Sequence, residues 1–433
     1  MNVIDRLKRL SGETKQKPHQ PSRQAEIGEL RNKIETIMAR RPDATIRTAP
    51  QNAFRGKGRL LTDLICGEEI ANAFGRFYVV PGNVDGSSCH GNTCVRDCAA
   101  MDMQAAAFIA NDPDIADCTA ADGLFLDTET TGLMGGTGTL AFLIGLGWFE
   151  GDVFVTRQIF ARDFAEEQAA LVFLNEIVRD RKFLVTFNGK AFDIGLLTTR
   201  LILNRLPNPF SAMPHLDLLH PSRRLFGSRL INHRLATLEE SIIGFYREDD
   251  LPGSEIPQRY FDWLKRHDAR LMVDVFEHNR LDIISMAALA RHLTELMNHP
   301  ADSDRCHPSD LLCAAKLFHD RGQVPEAHRR LLSLMNSDND EVKAGSLKLL
   351  SLIHKRAGRW AEAVAVWETM LEHDPGDVFA LTELAKWCEH RLRDVHRAEH
   401  FVSTALACVE TQKGRNSLVH RSNRLQKRLH DNS

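Results

Sequence analysis

Between Gly123 and Leu296, strand-like and helix-like patterns follow one another in an order that few folds can accept. Gly123–Asp127 is a short apolar run that ends in an acid. Leu140–Phe149 is a second apolar run, Glu150-Gly151-Asp152 is a turn signal, and Val153–Phe160 returns as a third strand. Glu166–Arg179 then sets Ala170, Leu171, Leu174, Ile177 and Val178 on one helical face. Phe183–Phe187 predicts a fourth strand, Ala191–Leu203 a helix and His215–Leu219 a short fifth strand. Leu235–Ile243 and Leu271–Leu296 read as helices. Three antiparallel strands extended by crossover strands make an α/β fold: a mixed sheet with helices packed on it.

The chain has 433 residues, which suggests two or three domains. With 43% hydrophobic and 26% charged residues, neither wholesale disorder nor a fibrous protein fits. Charge is unevenly spread. Residues 1–60 carry 14 Lys and Arg against 6 Asp and Glu, whereas residues 61–160 carry 3 Arg, no Lys and 14 acids. Residues 1–60 therefore read as a flexible basic arm, with one short amphipathic helix at Glu26–Arg40. A strand-like run follows at Arg76–Val80. The α/β domain is placed at 61–300, with its core at 120–295. Beyond His307-Pro308 strand signals stop, and Ala327, Ala363 and Ala398 recur at intervals of 36 and 35 residues. Small residues at that period resemble the close helix contacts of tetratricopeptide repeats, which predicts an all-α repeat domain at 308–412. The tail at 413–433 holds six Lys and Arg and one Asp, and either frays or continues as a basic helix. No stretch approaches the ~18 apolar residues of a membrane helix, and Met1–Leu10 has no apolar signal core. A cytoplasmic protein without a membrane partner is expected.

Four acids stand out. Asp127 and Glu129 end the first strand, and residues two apart on a strand share a face. Asn188-Gly189-Lys190-Ala191-Phe192-Asp193 follows the fourth strand directly. His278-Asn279-Arg280-Leu281-Asp282 falls on a helix, where residues four apart share a face. Singly, each is an ordinary strand end, turn or surface pair. Together and in this order they bring acids to the end of a sheet where α/β folds place their ligands. Converging carboxylates must protonate or bind cations. Two hard divalent ions, Mg²⁺ or Mn²⁺, resolve the conflict and can drive phosphodiester hydrolysis.

These three segments resemble the exonuclease motifs of the DEDD superfamily of 3′–5′ exonucleases, on the element order of the ribonuclease-H-like fold. The stretch His215-Leu216-Asp217-Leu218-Leu219-His220-Pro221-Ser222-Arg223-Arg224-Leu225, with Thr237-Leu238-Glu239-Glu240 and Ile256-Pro257, is similar to the YprB-type ribonuclease-H-like domain family. Members of that family often carry tetratricopeptide repeats C-terminally. The resemblance implies a metal-dependent nuclease acting on DNA or RNA. Asp127, Glu129, Asp193 and Asp282 would hold two ions, and His278 would be the general base. One departure from the wider superfamily stands in the third motif. His-type members place His five residues before the last Asp, whereas His278 stands four before Asp282, the spacing of Tyr-type members. Two other readings are a catalytically silent nucleic-acid-binding scaffold and a module that works through a protein partner on the repeats.

Lys190, Arg223 and Arg224 are candidates for contact with substrate phosphates, against plain surface charge. Asn188 either orients substrate or is a turn residue before glycine. Asp217 supports the site from outside the ligand set. The loop Thr130-Thr131-Gly132-Leu133, extended by Gly135-Gly136-Thr137-Gly138, lets backbone approach a terminal nucleotide. No Gly-Lys-Ser/Thr closes it, which argues against an ATPase. The nine cysteines read as reduced free thiols, with Cys89, Cys94 and Cys98 the one cluster to weigh as a zinc or iron–sulfur site.

Overall fold

Strand β1 (Glu68–Asn72) and β2 (Gly75–Val84) form a hairpin, and β3 (Cys89–His90) and β4 (Thr93–Cys94) a small ribbon. They precede β5 (Gly123–Thr130), β6 (Ala141–Glu150), β7 (Val153–Phe160), β8 (Phe183–Thr186) and β9 (His215–Asp217). The computed structural model describes residues 58–132, 138–248, 250–299 and 306–431. The helix expected at 26–40 and the glycine stretch 135–137 lie outside them.

Seven strands make one sheet in the order β1-β2-β7-β6-β5-β8-β9. β5, β6 and β7 pair antiparallel, and β8 and β9 add parallel to β5 through helical crossovers. This is the expected mixed sheet, widened by two strands. β2 runs antiparallel beside β7, from Tyr78 opposite Phe160 to Val84 opposite Phe154. Edge strand β1 shows no apolar alternation, because both its faces are largely exposed. That is why it left no trace in the sequence pattern.

Alternation along β5 feeds two cores. Leu124 and Leu126 pack with Ile144, Leu146, Val155 and Ile159 against helices Glu167–Arg179 and Asp193–Leu203. Phe125 turns the other way with Phe149 and Phe154, toward helix Val273–Asn298. At the β6–β7 edge Phe142, Phe160, Tyr260, Trp263 and Phe276 form an aromatic cluster, in which Phe142 and Tyr260 stack at 4.0 Å. Where one helix was expected over 235–243, a single α-turn (Leu235–Leu238) passes into a π-turn (Glu239–Ile243) that ends at Gly244, φ +72°.

The C-terminal region is helical throughout. Hairpins pair Pro308–Asp320 with Val324–Leu334, Asp340–Arg356 with Trp360–His373, and Val378–Trp387 with Val395–Cys408; helix Gln412–Asp431 closes the stack. Ala327, Ala363 and Ala398 are each the fourth residue of a hairpin's second helix, and each is fully buried. The periodic alanines thus mark equivalent close-packing positions. Of the two alternatives for the tail, the helix is the one formed. Leu418 and Leu425 are buried, and Arg421, Arg424 and Arg428 surround the buried Glu389 at 2.5, 2.7 and 3.4 Å. Among the described residues no helix is long and apolar enough to cross a membrane.

The cysteine expectations need correction. Cys89 and Cys94 face each other across the β3–β4 ribbon and are joined as a disulfide, so the reduced reading fails for these two. Cys98 is buried with its thiol turned to the Cys94 carbonyl.

Candidate active site

Asp127 and Glu129 lie at the C-terminal end of β5 and face the helix Val273–Asn298. A row of residues across the three antiparallel strands fixes Asp127. Asp127 pairs with Gly145 on β6, and Gly145 with Gln158 on β7. Asn279 lies over this row. Gln158 Nε2 donates to the Phe276 carbonyl (2.8 Å) and to Asn279 Oδ1 (2.9 Å). With its oxygen so committed, Asn279 turns Nδ2 to Asp127 Oδ2 at 2.9 Å. A Cβ at position 145 would sit 2.2 Å from Asn279 Oδ1, so only glycine leaves room for the amide.

Asp193 opens the helix Asp193–Leu203 and accepts a hydrogen bond from Thr128 Oγ1 on β5 at 2.5 Å. Its loop is set by Asp217 at the end of β9. Asn188 N and Leu219 N donate to one carboxylate oxygen (2.8 and 3.1 Å) and Lys190 N to the other (3.1 Å). Asn188 holds φ +67°, a left-handed conformation that Asn tolerates. Asp217 is therefore the shelf under the second motif.

His278 and Asp282 share one face of the long helix, with Nε2 at 3.6 Å from Asp282 Oδ2. The four-residue spacing is one helical turn, which is why the imidazole stands beside this carboxylate. His278 Nδ1 meets Asp250 Oδ1 at 2.8 Å, which assigns the Nδ1–H tautomer and leaves Nε2 to the site. Arg247 enters from the loop after the π-turn, with its side chain 7% exposed. It donates to both oxygens of Glu239 (2.5 and 2.8 Å) and to Asp282 Oδ1.

These groups perturb one another strongly. Burial lifts Asp127 well above the usual carboxylate range, helped by the charges of Asp282, Asp193 and Glu129. Burial likewise carries Glu129 up to about 8, with Asp282 and Asp193 adding and His278 and Arg247 opposing. Asp193 is raised by burial, against the hydrogen bond from Thr128. For His278, burial works to lower the pKa, but Asp282, Glu129 and Asp250 outweigh it and leave it raised. Asp127 and Glu129 therefore sense the charges of the acids around them.

The donor chemistry fits hard divalent cations. All four acids supply oxygen, and no described residue hydrogen-bonds the half-buried Glu129 carboxylate. Among the described residues no three His, Cys, Asp or Glu side chains stand close enough to enclose an ion as they are. Asp282 is turned onto Arg247 instead.

Residues 124–294 match the family model of the RNase_H superfamily. The uncharacterized protein YprB of Bacillus subtilis (strain 168) is 33% identical over 300 residues, 67% of this chain and 71% of that protein. This chain belongs to that ribonuclease-H-like family. The family span begins on β5 and ends in the long helix, so it takes in Asp127, Glu129, Asp193, His278 and Asp282. The likeness to YprB covers more of the chain than this span.

Of the phosphate-contact candidates, Lys190 and Arg224 line one cavity beside Asp217. Arg223 is exposed near His233 and does not line it. Sequence reasoning missed Gln158, Asn279, Arg247, Glu239 and Asp250. Three had a signal: Gln158 is an amide inside an apolar strand, Asn279 lies within the third motif, and Glu239 lies within the Thr237-Leu238-Glu239-Glu240 stretch. Arg247, in a loop, had none.

Proposed function

We propose that this chain is a metal-dependent nuclease that removes nucleotides from a 3′ end of DNA or RNA. The observation that carries the reading is the convergence of Asp127, Glu129, Asp193 and Asp282 at one sheet end, each sensed by its neighbours, with Glu129 lacking any hydrogen-bond partner among the described residues. Two Mg²⁺ or Mn²⁺ ions, when bound, would activate water and neutralise charge on the scissile phosphate. Those four acids would hold them. Asn279 orients Asp127, and Thr128 orients Asp193. To hold an ion, Asp282 would have to leave Arg247, which would keep Glu239 and Asp250 as partners. His278, its Nδ1–H held by Asp250, takes the proton of the attacking water at Nε2. Asn188 and Lys190 stand on the Asp193 loop, where a terminal nucleotide would lie.

The test is cleavage of 3′- and 5′-labelled single- and double-stranded DNA and RNA with Mg²⁺ or Mn²⁺. Stepwise shortening from the 3′ end, lost in Asp193→Asn, is expected. Binding of these substrates without cleavage under either metal would overturn it. One observation favours a second reading, a catalytically silent nucleic-acid scaffold: Arg247 already supplies the cation that Asp282 needs. Calorimetry separates the two, because a silent scaffold binds no Mn²⁺ that depends on Asp127 and Asp193. A protein partner on the repeats is not needed to account for the acids.

A further inference from the structure

We infer that the first helical hairpin completes a subsite for a backbone phosphate of the nucleic-acid strand, walled by Lys190, His220, Arg224 and Arg321. The inference rests on the nuclease reading and extends it to the helical region. These four side chains line one cavity of about 130 Å³, with Asp217 at its wall and Leu317 among its apolar neighbours. They come from three elements. Lys190 stands on the loop that delivers Asp193. His220 and Arg224 are one turn apart on helix Leu219–Phe226 and face the same way. Arg321 ends helix Pro308–Asp320 of the first hairpin.

The charge balance calls for an anion. Asp217 is engaged by three backbone N–H groups, and Asp320 holds Arg224 at 2.6 Å. Lys190 and Arg321 have no carboxylate partner among the described residues. Burial and the neighbouring charge of Arg224 both work against the Arg321 cation. An anion between these groups relieves the repulsion, and guanidinium favours phosphate. The space, about 130 Å³, has room for a phosphate group. It adjoins the ends of β8 and β9, on the sheet edge where β5 ends in its acids. A strand with its terminal nucleotide at Asp127 and Asp193 would pass over Lys190 toward the hairpin.

The experiment uses the full chain carrying Asp193→Asn, to prevent cleavage, and fluorescent single-stranded DNA and RNA of two to twelve nucleotides over a range of KCl. Arg321→Ala should weaken binding of the longer strands roughly five-fold or more and lower the salt slope by about one, and His220→Ala should weaken the same strands. The shortest strands should bind as before, and Arg321→Lys should recover most of the loss. Equal affinity and slope in Arg321→Ala at every length would overturn the inference while leaving the nuclease reading intact. If Arg321→Ala loses affinity for inorganic phosphate alone and not for strands, the site takes free phosphate and the strand assignment falls. If the parent chain binds no strand at any salt, the nuclease reading fails and this subsite falls with it.

Discussion

Asp127 is held by residues that carry no charge. Gln158 fixes Asn279, Asn279 fixes Asp127, and Gly145 leaves the space for both. Groups that orient a metal ligand typically matter 10–100-fold in affinity. Gly145→Ala and Asn279→Ala should therefore each weaken Mn²⁺ binding by about that factor, although neither removes an acid; unchanged titration curves for both would show that the row is only packing. His278→Ala should slow turnover roughly 10²–10⁴-fold with little change in metal affinity. His278→Tyr should restore part of the rate; wild-type rates in both variants would reduce His278 to a partner of Asp250 and Asp282. The acids also set a pH dependence. Glu129 holds its proton up to about 8 in the folded chain against an ordinary value of 4.5, so the folded state binds more protons across that window. Stability contributed this way is complete at low pH and is lost as pH rises through the folded pKa. Buried His90 and His215, lowered to about 4 mainly by desolvation, act in the opposite sense below about 6.5. Between pH 6.5 and 8 the melting temperature of the metal-free protein should fall. Mg²⁺ should reverse the fall, and Glu129→Gln should flatten it. A flat profile with wild-type Glu129 would refute this.

Among the elements, the β3–β4 ribbon has a part larger than its size. Asn92 N donates to the Ile243 carbonyl at 2.8 Å, and His90 stacks on Phe245 at 3.8 Å. The ribbon so braces the segment that carries Glu239 and Arg247, and through them Asp282. The helical hairpins depend on small residues instead. Ala363 has no exposure, and Trp367 lies one turn further along the same helix, equally buried. Ala363→Leu forces extra volume into that contact and should cost about 1–3 kcal/mol. Urea unfolding followed by circular dichroism measures it, and a change within error would mean that the helices do not meet closely there.

At the scale of the whole molecule, the sheet and the repeats are one packed body. A continuous buried cluster runs from Phe125, Phe149 and Phe154 on the sheet through Leu311 and Ala315 to Trp367. Arg330 reinforces the junction by donating to the Met297 and His299 carbonyls at the end of the long helix. The closing helix belongs to the same body, since its arginines neutralise Glu389 and Leu418 and Leu425 cover the last hairpin. Deleting residues 412–431 exposes that apolar face and strands a buried carboxylate. It should lower the melting temperature and broaden the transition. A deletion that melts like the full chain would show the closing helix to be dispensable for folding.

Strand order, the crossover helices, the alanine period and the four acids were legible in the sequence because each is a local pattern. An apolar run, a helical face or an acid at a strand end is written in adjacent residues, and chain connectivity limits how such elements assemble. Edge strand β1 was not legible, because a strand with two wet faces has no apolar period. Nor was the partner of Asp282, since Arg247 lies 35 residues away and meets it only when loop and helix pack. The meaning of the basic tail was also a tertiary matter: its arginines read as free charge until Glu389 stands among them. Local chemistry determined which residues can do what. The tertiary structure decided which charges face one another, because Coulomb energy depends on separation in space and on burial, and sequence distance measures neither.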